Sequence, residues 1–264
     1  RFNLQPPGTM SYLYEWLFMK ALEKEKLISL KVNFMNVNMN DSNEGAYILQ
    51  EAITNQTLER NDKKIGPIIG FSKDLYLTEF INAKKLLKQG ATGSLNGLED
   101  TFWRAKIEPV QFTQEKDQRQ LEYLKRSIYL LESFRSGTLK PSEVFDIKQL
   151  SKVMAIRAIL GSSEFDYRDI KFYFNPETSL LEPISKESHV RLDLNFKESY
   201  FSWWLDSSKI RPHYTSNTNF FLDLLYKDFE FYKLYLSELK NYSEGYYFKN
   251  LIKEIKKEFN KFQK

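Results

Sequence analysis

Hydrophobic and polar positions in the first 75 residues follow two different periods. Apolar residues three and four positions apart over 10–26 predict a helix that buries one face. Alternation over 29–39, turn-forming residues at 40–45 and a further run over 46–51 predict a β-hairpin. A short apolar run at Ile68–Phe71 predicts a third strand. The N-terminal part therefore combines one helix with three strands.

After residue 75 the pattern becomes mainly helical. One β-hairpin, with strands at 170–174 and 180–184, interrupts it. The helices predicted for this part lie at 75–87, 115–135, 146–160, 218–240 and 244–262. We therefore predict an α+β fold with two lobes, a small β-containing N-terminal lobe over 1–75 and a larger, mainly helical C-terminal lobe over 76–264. A cleft between lobes is the expected place for a ligand.

The amino-acid composition excludes several classes of protein and several kinds of chemistry. Hydrophobic residues make up 42% of the chain and charged residues 28%, and no apolar run approaches the length of a membrane span. The net charge of +4, from 39 basic and 35 acidic residues, is small for a nucleic-acid-binding protein, so we expect no nucleic-acid partner. Cysteine is absent and there are only two histidines. Any chemistry must therefore use carboxylates, amines and hydroxyls.

Glu51, at the end of the second predicted strand, is a candidate for a buried charge. Strand alternation places it on one face with Tyr47 and Leu49, which we expect to be the core-facing side. A buried carboxylate needs a cationic partner, and Lys31 and Lys73 are the candidates. The alternative is a glutamate at the end of a strand, exposed to solvent.

A group of acidic residues flanks the predicted hairpin at 170–184. Because a hairpin brings its two ends together, these carboxylates could converge, and they would suit a hard cation such as Mg²⁺ or Mn²⁺. The acidic residues are Glu164, Asp166, Asp169 and Glu187. The alternative is a solvated acidic loop that is partly neutralised by nearby basic residues, namely Arg168, Lys171 and Lys186. The glycine-rich signatures of phosphate loops and of Rossmann folds are absent.

A series of short motifs runs along the chain in a fixed order. In the first part they are FNLQP (2–6), YLYEWLF (12–18), FMNVNMN (34–40), GAYILQE (45–51), LERN (58–61) and GPIIGF (66–71). Later they are FD (145–146), LG (160–161), FYFNP (172–176) and LEPI (181–184). Together these motifs resemble those of the bacterial CotH-type spore-coat kinases and their relatives. The resemblance covers about residues 1–190, and residues 190–264 match no motif of that family.

The resemblance implies a kinase-like two-lobe fold that transfers the γ-phosphoryl group of ATP to a protein serine or threonine, with Mg²⁺ or Mn²⁺. In the family, a catalytic Asp and a following Asn precede the F-Y-x-N-P strand, and a metal-binding Asp follows the next strand. Here Glu164, or Asp166 in another loop register, stands at the catalytic position. Asp169 stands at the Asn position and Glu187 at the metal position. Each replacement keeps an oxygen ligand, although a displacement of about 1 Å can cost on the order of 100-fold in rate.

The resemblance also assigns the residues that contact ATP. Gly70 stands where relatives often carry a basic residue, and Lys73 is the nearest substitute. Glu51 is expected to pair with this phosphate-binding lysine. Both residues are therefore predicted to belong to the cofactor-binding site.

Three functional hypotheses follow. The first is a divergent CotH-like kinase that acts on a protein substrate. The second is a kinase-like protein without catalysis, which serves as a structural or binding module at a cell or spore surface. The third keeps the ATP chemistry but uses a carbohydrate or a small metabolite as acceptor. The altered acidic positions favour the second hypothesis, whereas their retained oxygen ligands favour the first.

Overall fold

The computed structural model describes residues 1–5, 12–88, 101–111, 117–161, 167–186 and 217–262. The strands are β1 (Phe2–Gln5), β2 (Val32–Met39), β3 (Ser42–Glu51), β4 (Ile68–Phe71), β5 (Ile107–Gln111), β6 (Ile170–Asn175) and β7 (Leu180–Ser185). The helices are α1 (Tyr12–Lys24), α2 (Asn55–Arg60), α3 (Asp74–Lys88), α4 (Thr101–Arg104), α5 (Gln118–Arg135), α6 (Pro141–Val144), α7 (Ile147–Ile159), α8 (Asn217–Tyr226), α9 (Phe229–Ser243) and α10 (Tyr246–Phe262). The predicted α+β class is confirmed. None of the helices within these ranges is long and apolar enough to cross a membrane.

The first sheet has three antiparallel strands in the order β1-β3-β2. Strands β2 and β3 form the predicted hairpin through a two-residue turn. Asn40 and Asp41 form this turn with φ values of 50° and 63°. Asparagine and aspartate tolerate this left-handed conformation better than most residues, and a turn with two such residues matches the twist of the hairpin. Strand β1 adds to the other side of β3.

The second sheet has four antiparallel strands in the order β5-β4-β6-β7. The predicted strand β4 is confirmed, and it lies inside this sheet between β5 and β6. Ile69 of β4 is opposite Phe172 of β6, and Ile170 of β6 is opposite Ser185 of β7. A strand from the first 75 residues thus joins a sheet made from the later part of the chain. The lobe boundary at residue 75 stays a prediction.

The two faces of this second sheet have different surroundings. Alternate residues such as Ile69, Phe71 and Phe172 belong to the main core, which also includes apolar side chains of α1, α5, α7, α8 and α9. The intervening residues Ile68 and Tyr173 point the other way and pack with a smaller cluster, whose other members are Ile28, Leu58 and Ile184. Leu58 is on α2, so α2 covers part of this second face. Gly70 and Lys171 lie on the same face, towards the end of the sheet where β4 finishes and β6 begins.

Candidate functional site

Lys73 and Asp169, which the sequence assigns to the cofactor and metal sites, are in direct contact. Lys73 follows β4 and Asp169 immediately precedes β6, and these strands are antiparallel neighbours. Lys73 Nζ lies 2.5 Å from Asp169 Oδ1. The lysine side chain is 46% exposed and the aspartate side chain 16% exposed. The pair therefore lies at the rim of the sheet, where a ligand from solvent can reach it.

The hairpin of β6 and β7 brings its two ends together, as predicted. Because Ile170 is paired with Ser185, Asp169 and Lys186 both leave the sheet at this end. The other predicted acidic residues, Glu164, Asp166 and Glu187, lie outside the described residues. Within the described ranges, no group of three or more acidic or histidine side chains is arranged to hold a metal ion. Asp169 is thus the one member of the predicted acidic group that the structure places at this end.

Lys171 crosses the strand face at Gly70. A Cβ atom built on Gly70 would lie 2.5 Å from Lys171 Cδ and 2.9 Å from its Nζ, so the lysine occupies the space of a side chain at position 70. The ammonium group donates hydrogen bonds to the carbonyl oxygens of Arg168 at 2.9 Å and of Phe71 at 3.4 Å. From the sequence, Lys171 is predicted only to neutralise part of the acidic loop charge. The contact between Lys171 and Gly70 could not be predicted from local sequence, because the two residues are far apart in the chain.

The charge state of Lys171 is perturbed by its surroundings. Burial of the amine, followed by repulsion from Lys73 and Lys186, lowers the pKa of Lys171 to about 8. The carboxylates of Asp169 and Glu108 act in the opposite direction without cancelling these effects. With this pKa the Lys171 amine loses its proton near pH 8, whereas an ordinary exposed lysine keeps its proton to a higher pH.

Arg168 fixes the chain just before β6. Its guanidinium carbon lies 3.4 Å from the centre of the Tyr76 ring, which is a close cation–π contact. Tyr76 in turn stacks on Phe80 of the same helix, α3. The carbonyl of Arg168 that accepts from Lys171 is thus held by a side chain docked on α3.

Glu51 is buried, with 9% of its surface exposed, but its partner differs from the predictions. Arg60 of α2 forms the ion pair, with Nη2 2.6 Å from Glu51 Oε2. The backbone N–H of Lys31 donates to the same oxygen at 3.0 Å, and the Thr57 hydroxyl donates to Oε1 at 3.2 Å. The Lys31 amine and Lys73 do not pair with Glu51 in the described part of the chain. The alternative of a solvent-exposed glutamate is wrong.

The predicted orientation of β3 is also wrong. Ile48 and Gln50 are fully buried and face the core, whereas Tyr47 and Leu49 are only half-buried on the other face. Glu51 is on that second face, and it is buried because α2 follows β3 closely and supplies Arg60 and Thr57 as hydrogen-bond partners. Local alternation could not identify this, since the covering element is a helix rather than the core.

A buried polar cluster holds the end of β7 in place. The Gln50 side chain donates to the backbone carbonyl of Lys186 at 2.8 Å and to Glu15 Oε1 of α1 at 3.3 Å. Arg157 of α7, 4% exposed, donates to the Ser185 hydroxyl at 2.5 Å. These contacts tie β3, α1 and α7 to the point where the chain leaves the sheet towards Glu187. The sequence gives no local signal for this cluster, because its members come from four separate elements.

A cavity of about 970 Å³ lies between α1, β2 and α2, away from the Lys73–Asp169 pair. Several cations line it, but carboxylates neutralise most of them. Lys20 pairs with Glu23 and Glu258, and Arg60 pairs with Glu51. Lys63 pairs with the buried Glu182 at 2.6 Å. The described residues of the predicted site do not line this cavity.

No protein-family model matches the chain, and no curated protein matches it. The resemblance to CotH-type kinases therefore stays a prediction from the motifs.

Proposed function

We propose that this chain is a divergent kinase-like protein that transfers the γ-phosphoryl group of ATP to a serine or threonine hydroxyl of a protein, with Mg²⁺ or Mn²⁺. The observation that carries this proposal is the contact between Lys73 and Asp169 at the rim of the four-stranded sheet. Phosphoryl transfer depends on cations that contact phosphate oxygens and on carboxylates that hold a metal next to them. The two residue types meet here, at the end of the sheet that also leads to the predicted catalytic loop.

In this proposal the ion pair is the ligand-free arrangement. Asp169 would exchange Lys73 for the metal, which Glu187 would also hold, and Lys73 would then contact the phosphate oxygens. The metal would supply neutralisation of the phosphate charge. Glu164 or Asp166 would accept the proton of the acceptor hydroxyl. The two-lobe arrangement, with the three-stranded sheet and α2 in the smaller lobe, belongs to the same proposal.

The second candidate is a kinase-like module without catalysis, with a structural or binding role at a cell or spore surface. It is favoured by the contacts of Glu51. Glu51 Oε2 accepts from Arg60 of α2 and from the backbone N–H of Lys31, just before β2, and Oε1 accepts from Thr57 of α2. The cationic partner is therefore Arg60 rather than a phosphate-binding lysine. In this role the Glu51 pair would only fasten α2 to the sheet, and nucleotide binding would not be required.

Calorimetric titration with ATP separates the two candidates. We expect ATP binding that requires Mg²⁺ or Mn²⁺ and is absent from a metal-free titration. The matched control is Lys64→Met, because Lys64 is exposed and pairs with Glu177 at the opposite end of the hairpin. Absence of binding to the folded protein in either metal would contradict the kinase proposal and favour the binding module. Transfer of labelled phosphate with protein, carbohydrate or no acceptor then identifies the acceptor class.

A further inference from the structure

The strand face around Gly70 carries a lysine that no sequence motif assigns. Lys171 extends from β6 across β4, and its amine reaches the position that a side chain at residue 70 would occupy. The glycine is what makes this possible, because any Cβ at that position would overlap the lysine. The amine of Lys171 therefore lies above β4, beside the Lys73–Asp169 pair.

The ammonium group of Lys171 is more available to bind an anion than the ammonium group of Lys73. Lys73 already has a carboxylate at 2.5 Å, so its charge is compensated. Within the described ranges no carboxylate lies within ion-pair distance of Lys171, and its ammonium donates only to two backbone carbonyls. An ammonium group has three donors, so one remains for a ligand.

We infer that Lys171 is a phosphate-contacting residue of this site, and that its ammonium, brought across Gly70, binds the polyphosphate oxygens of the nucleotide. This inference rests on the proposed function. It assigns phosphate binding to a lysine on β6, whereas the sequence assigns it to Lys73, which follows β4. Lys73 then acts as the partner that holds Asp169 until the ligand arrives.

The surrounding charges favour an anion at this position. The charged groups that act on Lys171 are Lys73 after β4, Glu108 on β5, Asp169 before β6 and Lys186 after β7. Together with Lys171 itself they give three positive and two negative charges. A phosphate group would relieve the repulsion among the lysines, and it would stabilise the charged form of Lys171.

The test is calorimetric titration with ATP and Mg²⁺. We expect Lys171→Met to bind ATP about 10–100-fold more weakly than wild type, as expected for loss of a charged hydrogen bond. Lys171→Arg keeps the positive charge, so it should retain more affinity than Lys171→Met. Gly70→Ala, whose Cβ would displace the Lys171 amine, should also weaken ATP binding. Lys64→Met should behave as wild type.

The outcomes distinguish this inference from the proposed function. If wild type binds ATP and Lys171→Met binds equally well, the inference is wrong and the proposed function stands. If Gly70→Ala binds ATP as tightly as wild type, the position of the Lys171 amine does not matter for binding, and the inference is again wrong even where Lys171→Met does not fold. If wild type itself does not bind ATP with either metal, the proposed function is wrong and the inference fails with it.

Discussion

Arg60 Nη2 lies 2.6 Å from Glu51 Oε2, so that helix α2 is fastened to the end of strand β3 by a largely buried ion pair. Thr57 of the same helix donates to the other carboxylate oxygen. Both hydrogen-bonding helix residues come from the segment directly after Glu51. The ion pair therefore links two elements that are consecutive in the chain, and it stabilises the connection between β3 and α2.

Substitution of Glu51 tests the strength of this connection. Glu51→Gln leaves the Arg60 charge poorly compensated, and we expect a loss of about 2 kcal/mol in the free energy of unfolding, measured with urea. The double variant Glu51→Gln with Arg60→Met should recover part of the loss, because the unpaired charge is gone. Lys64→Met breaks an exposed pair and should have little effect. A Glu51→Gln variant as stable as wild type would contradict the proposed fastening role.

Two glycines of the second sheet region provide a matched pair of substitutions. An alanine Cβ at Gly66 would lie 2.5 Å from the backbone oxygen of Phe174, which cannot move without disturbing β6. At Gly70 the overlap is instead with the flexible Lys171 side chain. We expect Gly66→Ala to lower the urea midpoint by the equivalent of about 1–3 kcal/mol, and Gly70→Ala to cost less than about 1 kcal/mol. If Gly70→Ala were less stable than Gly66→Ala, these close approaches would not determine the stability cost of the two substitutions.

Asp228 caps helix α9 and should make stability depend on pH in the acidic range. Its Oδ1 accepts from the backbone N–H groups of Glu230 and Phe231, and its Oδ2 accepts from the hydroxyl and the N–H of Ser142. Burial by itself would raise the pKa of Asp228, but these hydrogen bonds outweigh it and lower the pKa below the usual value. A lowered pKa contributes stability above about pH 4 that is lost as the pH falls through the folded-state value.

Replacement of this carboxylate by an amide should reveal the effect. We expect Asp228→Asn to cost about 1–2 kcal/mol at pH 7, since an N–H₂ group would then face the donors of Ser142. The difference from wild type should narrow as the pH falls below about 4, because the wild-type carboxyl is then protonated as well. Urea unfolding of both proteins at pH 7 and in the acidic range measures this. A difference that does not change with pH would argue against a charged cap.

Substitutions of Asp169 test whether this residue is a metal ligand or only the ion-pair partner of Lys73. Asp169→Asn keeps a carbonyl oxygen but ends the ion pair, whereas Asp169→Ala removes both. We expect Mg²⁺ to strengthen ATP binding in the asparagine variant, and this gain to fall by at least about tenfold in the alanine variant. Because Lys73 is half exposed, neither substitution should change the unfolding free energy much. Equal metal dependence in the two variants would mean that Asp169 is not a metal ligand.

The secondary structure was largely predictable where the periodicity is strong. The helix predicted at 75–87 is α3, and the one predicted at 146–160 is α7. The single helix predicted at 218–240 is wrong, because α8 ends at Tyr226 and α9 begins at Phe229. Asp228, a good N-cap residue, was the local signal for that break. Strand β5 was not predicted, since it is short and carries Pro109, which weakens the strand pattern.

The site was predictable only in its local part. The β6–β7 hairpin brings Asp169 to the end of the sheet, as turn chemistry indicates, and β4 delivers Lys73 to the same place. The partner of Glu51 and the position of Lys171 depend instead on which strands are neighbours and on what covers each face. Arg60 lies in a quoted motif, yet nothing in its spacing singles it out over Lys31 as the ion-pair partner.

The position of β4 inside the second sheet has a consequence for how the chain reaches its fold. Its neighbour β6 comes about a hundred residues later, and long-range pairings of this kind slow folding because a large loop must close first. A chain that ends soon after residue 75 would carry β4 with neither neighbouring strand, and its apolar residues would lack most of their packing partners. We expect such a fragment to be insoluble, and folding to become cooperative only once β6 and β7 have been synthesised.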